Sequence, residues 1–127
     1  MITRTTGDVP LLSVKSASVN ITDLDVVLSD TLNQLAFLWK AFYPKDADGL
    51  TITSGCEGTK GDGVHGKDSL HYVQNSPSGK GRAVDIRTRD VAPMDTLKFA
   101  TAAGLLLGGR FDVVTEVDHI HIEYDPS

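Results

Sequence analysis

The chain of 127 residues contains one cysteine, Cys56, so no intramolecular disulfide can staple it. A lone cysteine in a small domain is expected to be a buried, inert thiol, and stability must then come from an apolar core. No apolar run approaches the roughly 20 residues that a membrane-spanning helix needs. The opening MITRTTGDVP has no apolar stretch of the kind a secretory signal carries. No Lys/Arg cluster is present and the net charge is −5, which argues against a nucleic-acid partner. Internal repeats and low-complexity tracts are also absent. What remains is one ordinary domain, with 40% hydrophobic and 23% charged residues, long enough to bury a core.

Residues 1–20 are polar and β-branched, with LLSV as the one apolar knot, and read as an arm holding one short strand. From Thr22 to Tyr43 the apolar residues Leu28, Leu32, Leu35, Trp39 and Phe42 recur at steps of three and four, which predicts a helix. Thr22 with Asp25, or Ser29, would cap its start, and Pro44 ends it. Leu50–Ser54 alternates and reads as a strand, as does Ala83–Thr88. The Gly-, Lys- and Asp-rich residues 55–68 and the turn-forming VQNSPSGKG predict loops. Pro93 opens a second helix that Gly108 and Gly109 close. Phe111–Thr115 and His119–Tyr124 read as strands joined by a tight turn near Val117 and Asp118. This order predicts an α+β domain, with helices packed on one face of a mainly antiparallel sheet.

The four histidines, His65, His71, His119 and His121, fall in two clusters beside carboxylates. His119 and His121 are two apart on a strand, so both side chains leave the same face and can point at one centre. Asp85 sits among Ala83, Val84 and Ile86. A carboxylate there is costly to bury unless it is paired or bound to a metal. An ion pair with Arg82, Arg87 or Arg89 is the plainer alternative, weakened because strand neighbours alternate faces. Zinc is served by His nitrogen and carboxylate oxygen in four-coordinate sites, and a catalytic site keeps one position for water.

Ser69-Leu70-His71-Tyr72 followed by Gly81-Arg82-Ala83-Val84-Asp85-Ile86 resembles the first metal motif of the hedgehog signalling domain and of the D-Ala-D-Ala metallopeptidases. Thr53-Ser54-Gly55-Cys56-Glu57-Gly58 and His65 stand where hedgehog has an acidic loop and an extra histidine. Phe111-Asp112-Val113-Val114 and His119-Ile120-His121 resemble its last motif. The likeness runs from Thr51 to Tyr124.

The resemblance implies a hedgehog/DD-peptidase-like fold and Zn2+ held by His71, Asp85 and His121. Asp118 or Glu116 would be the general base for zinc-bound water, and His119 and His65 would stabilise an oxyanion. Asp118 lies three residues before His121 and Glu116 three before His119, so spacing leaves the base open. Arg82 or Arg87, with Ser69, would contact substrate, an arginine gripping a carboxylate. The implied activity is hydrolysis of peptidoglycan stem peptides, by a D-Ala-D-Ala carboxypeptidase or an endolysin-type endopeptidase. Such an enzyme would be made in the cytoplasm and act on the cell wall after release or within a virion. The alternative is a hedgehog-like, zinc-containing binding or virion module without turnover. Two departures stand out. The interval between His71 and Asp85 is longer than the family's, and the excess in VQNSPSGK is expected at the rim of the site. Glu57 and Asp62 are too few acids for hedgehog's calcium loop.

Overall fold

Apolar side chains alternate along the strands, and that alternation divides one sheet into a dry face and a polar face. The computed structural model describes residues 3–6, 9–46, 49–88 and 91–126. Its elements are β1 (Thr3–Thr6), β2 (Val9–Val14), α1 (Val26–Phe42), β3 (Leu50–Ser54), a 3-10 turn (Val73–Asn75), β4 (Ala83–Arg87), α2 (Pro93–Leu107), β5 (Phe111–Thr115) and β6 (His119–Tyr124). The six strands lie in the order β1-β2-β3-β4-β6-β5. β2 and β3 pair in parallel, with α1 as the crossover that a parallel connection requires. The other four pairings are antiparallel.

The register aligns Leu12 with Leu50, Val14 with Ile52, Ile52 with Ile86, and Val84 with Ile122. These side chains are fully buried and pack with Leu28, Leu32, Leu35 and Trp39 of α1 and Phe99 and Ala103 of α2 in one core. Burying each large aliphatic side chain contributes about 1.5–3 kcal/mol. Both helices therefore cover one face of the sheet, as an α+β domain of this pattern should. The other face carries Thr51, Thr53, Asp85, Arg87, His119, His121 and Glu123, out of phase with the core residues by one position. A register shift between Ile52 and Ser54 sets Ser54 opposite Asp85, a bulge that re-aims a side chain at the polar face.

Three sequence expectations are corrected. Where an arm with one short strand was expected, residues 3–6 and 9–14 form two strands of the sheet, and Leu12 and Val14 alternate into the core. α1 begins at Val26, with Asp25 as its cap accepting from the Val27 N–H. Thr22 instead donates to Asn20 in a preceding turn. The 73–80 segment does not reach the polar cleft. Ser78 donates to Asp25 beside the start of α1, and Asn75 donates to the carbonyls of Lys67 and Ser69. α2 starts at Pro93 and ends at Gly108, whose φ of 81° suits glycine, as anticipated.

Candidate metal centre

β4 and β6 are antiparallel neighbours whose register sets Asp85 opposite His121 and Arg87 opposite His119. All four face away from the helices. The long connection from Ser54 to Arg82 folds back over this face and delivers His65 and His71. Its path is held by short polar bonds. Gly55 passes so close to Asn20 that a Cβ there would lie 2.0 Å from the Asn20 carbonyl oxygen. Glu57 accepts from the N–H groups of Asn20 and Gly55 and from the Ser54 hydroxyl, and these bonds hold its pKa down against the effect of burial. Asp62 accepts from the N–H groups of Thr59 and Val64 and from the hydroxyl of the buried Tyr72. Both carboxylates therefore brace the loop. Gly81 leaves room for Cys56, which is buried as the composition suggests, and burial raises its thiol pKa.

His71 is 2% exposed. Its Nδ1 lies 2.7 Å from the carbonyl oxygen of Gly55. A carbonyl only accepts, so Nδ1 carries the proton and Nε2 is left to face inward. Nε2 is buried with no hydrogen-bond partner, and stands 3.3 Å from Asp85 Oδ1 without the alignment of a bond. Asp85 Oδ1 is also 3.0 Å from His121 Nδ1 and 3.8 Å from His119 Nε2. Imidazole nitrogens thus converge from three sides on one carboxylate oxygen. Where both partners present lone pairs, that geometry requires a cation or a proton between them. The protonation balance of these groups reflects this. The hydrogen bond to Asp85 raises the His121 pKa, despite burial. Burial alone would raise the Asp85 pKa, but the bond from His121 and the closeness of the His71 and His119 rings hold it well below the carboxylate range.

Ligand atoms of His65, His71 and Asp85 also lie within 4.8 Å of one another. The rings of His65 and His71, however, are stacked at 4.0 Å and only 8° from parallel. In-plane lone pairs of two parallel rings cannot meet at one point. The His71 and His121 rings are inclined by 60°, with centroids 5.1 Å apart. Among the described residues the group within 4.8 Å is His65, His71 and Asp85, and His121 joins it through Asp85. His65 has its Nε2 3.2 Å from the Ser54 hydroxyl and its pKa lowered by burial and by His71.

A cleft of about 590 Å³ opens over this face, lined among others by His65, Asp85, Arg87, Asp118 and His119. Asp118 Oδ1 is 2.8 Å from His119 Nδ1, and that bond lowers the Asp118 pKa. Glu116 lines a different groove, with Val117 and the start of α2, and its backbone N–H closes the β5–β6 hairpin on the His119 carbonyl. Ser69 does not face the cleft; its hydroxyl accepts from the His71 N–H. Arg82 is spent on Asp25 at 3.2 Å and on the Tyr124 ring, away from the histidines. Arg89 lies outside the described residues. Sequence reasoning assigned no role to Ser54 or the Gly55 carbonyl. Both residues stand inside the motif Thr-Ser-Gly-Cys, while a backbone carbonyl leaves no compositional signal. Comparison with protein-family models, with curated proteins and with solved structures finds no match.

Proposed function

We propose that this chain is a zinc-dependent peptidase of peptidoglycan stem peptides, built on a hedgehog/DD-peptidase-like fold, with His71, Asp85 and His121 holding the ion. The observation that carries the reading is the convergence of His71 Nε2 and His121 Nδ1 on Asp85 Oδ1, with a buried nitrogen that has no other partner. The donor set, two imidazoles and one carboxylate, suits zinc with a position left open. A zinc ion held there would act as a Lewis acid toward a scissile carbonyl and lower the pKa of a bound water.

The chain's own groups supply the rest. Asp118 is 73% exposed at the cleft and accepts the proton of the attacking water, then passes it to the leaving amine. Its bond to His119 Nδ1 turns Nε2 toward the site; in the imidazolium form, with a proton on each nitrogen, the ring would donate to the developing oxyanion. His65, kept neutral by its lowered pKa, has its one N–H on the Ser54 hydroxyl and would have to turn it from there to the oxyanion. Arg87 lines the same cleft and suits a substrate carboxylate.

The test is release of amino groups from purified peptidoglycan by zinc-loaded protein, with and without chelator. Zinc-dependent release, lost in Asp85→Asn, supports the reading; no release by protein that retains its zinc sinks it. The burial of His71 and Asp85 favours a second reading, a binding or virion module in which zinc only supports structure.

A further inference from the structure

On the outer side of His121, Nε2 lies 3.4 Å from Glu123 Oε1. Glu123 follows His121 by two residues on β6, so both side chains leave the same face of the strand. The other nitrogen, Nδ1, is the one turned to Asp85. When Nδ1 gives its lone pair to a cation, the ring proton must sit on Nε2, and that proton needs an acceptor. His71 solves the same problem with the Gly55 carbonyl on its far nitrogen. The two histidines are therefore backed in parallel fashion, one by a backbone oxygen and one by a carboxylate.

We infer that Glu123 is the positioning residue of the metal centre: its carboxylate accepts the Nε2–H of His121 and so presents Nδ1 to the ion. The inference rests on the zinc reading of the site. A carboxylate behind a ligating imidazole fixes the tautomer and the ring orientation and makes the ligand more basic. Loss of such a group weakens metal binding by about 10–100-fold. Glu123 also stands within 4.8 Å of Asp112 and Asp125. Those neighbours add negative charge beside Glu123, so Asp112 provides a control for charge alone.

The experiment is a zinc titration of the intact chain against a chromophoric chelator, comparing wild type with Glu123→Ala, Glu123→Gln and Asp112→Ala. Glu123→Ala is expected to bind zinc about 10–100-fold more weakly. Glu123→Gln, which keeps an acceptor oxygen, should recover part of the loss, and Asp112→Ala should stay near wild type. In the zinc-loaded wild type, long-range ¹H–¹⁵N spectra should show His121 protonated at Nε2, with a signal that broadens by solvent exchange in Glu123→Ala. Wild-type zinc affinity and an unchanged His121 signal in Glu123→Ala would overturn the role of Glu123 while leaving the metal site intact. Equal losses in Glu123→Ala and Asp112→Ala would also overturn it, reducing the effect to field strength. A wild type that takes up no zinc would overturn both this inference and the function proposed above.

Discussion

The Gly55 carbonyl and the His71 imidazole are joined by a 2.7 Å hydrogen bond, and that bond decides which nitrogen of His71 meets Asp85. Gly55 holds its place because it has no side chain: a Cβ would come within 2.0 Å of a backbone oxygen of Asn20, which cannot swing aside. Gly55→Ala is therefore expected to cost more than about 2 kcal/mol in urea unfolding and to weaken zinc binding as the carbonyl shifts. Gly66→Ala, in the same loop with nothing within 4 Å, should stay within about 0.5 kcal/mol of wild type. Equal stability of the two variants would refute the close-approach argument.

Asp118 and Glu116 are equivalent by spacing and are separated by the fold. Asp118 lies at the cleft against His119, while Glu116 lines the groove beside α2. Asp118→Ala should lower turnover by about 10²–10⁴-fold with zinc content unchanged, and Glu116→Ala should leave turnover within a few fold of wild type. Metal analysis beside a peptidoglycan assay measures both. The reverse ranking would make Glu116 the base.

Both helices, the four later strands and the two-faced sheet were legible in the sequence because each rests on a local period. Leu28, Leu32, Leu35 and Trp39 mark a helix face, and Leu50 and Ile52, like Ile120 and Ile122, mark the dry side of a strand. The pairing of β2 with β3 was not legible, because it is a parallel contact across the whole of α1 and only Leu12 and Val14 announce it. At the site, the Asp85, His119 and His121 positions followed from strand alternation. The roles of Ser69 and Arg82 did not, since Ser69 turns back on the His71 N–H and Arg82 is drawn to Asp25, partners brought near only by the fold. The insertion of residues 73–80 read as a rim because turn residues show where a chain bends and not toward which side.

Stability should depend on pH in opposite senses with and without zinc. The Asp85 bond raises the His121 pKa, so its contribution is fully present below about pH 6.5 and is lost as pH rises through the elevated value. The pKa of Asp85 is lowered, so its contribution is present above about pH 4 and is lost as pH falls toward that lowered value. For this pair, chelated protein is thus most stable between about pH 4 and 6.5. Zinc must displace the His121 proton, so the increment in Tm that zinc confers should grow from about pH 6 to about pH 8. Thermal melts with zinc and with chelator at each pH check this; an increment independent of pH would place the ion elsewhere.

Cys56 is 4% exposed, its Sγ lies 3.6 Å from the Asn20 carbonyl oxygen, and burial pushes its thiol pKa up. Native protein should react with a disulfide reagent far more slowly than a free thiol, and one thiol should appear on denaturation. Fast reaction in the native state would show that the loop from Gly55 to Gly58 opens readily.

Chelation separates a catalytic ion from a structural one, and the placement of the core says which to expect. The apolar cluster that joins α1, α2 and the inner side chains of the strands has its bulk on the face away from Asp85 and the histidines. Removing zinc leaves that burial intact. The loop bearing His65 and His71 keeps its bonds through Glu57, Asp62 and Tyr72. Chelated protein should therefore hold its far-ultraviolet circular dichroism and unfold cooperatively at a lower Tm. Faster amide exchange should be confined to the loop from Gly55 to Tyr72, and peptidoglycan hydrolysis should cease. Loss of secondary structure on chelation would instead make the ion part of the scaffold, the behaviour of domains that fold only around their metal.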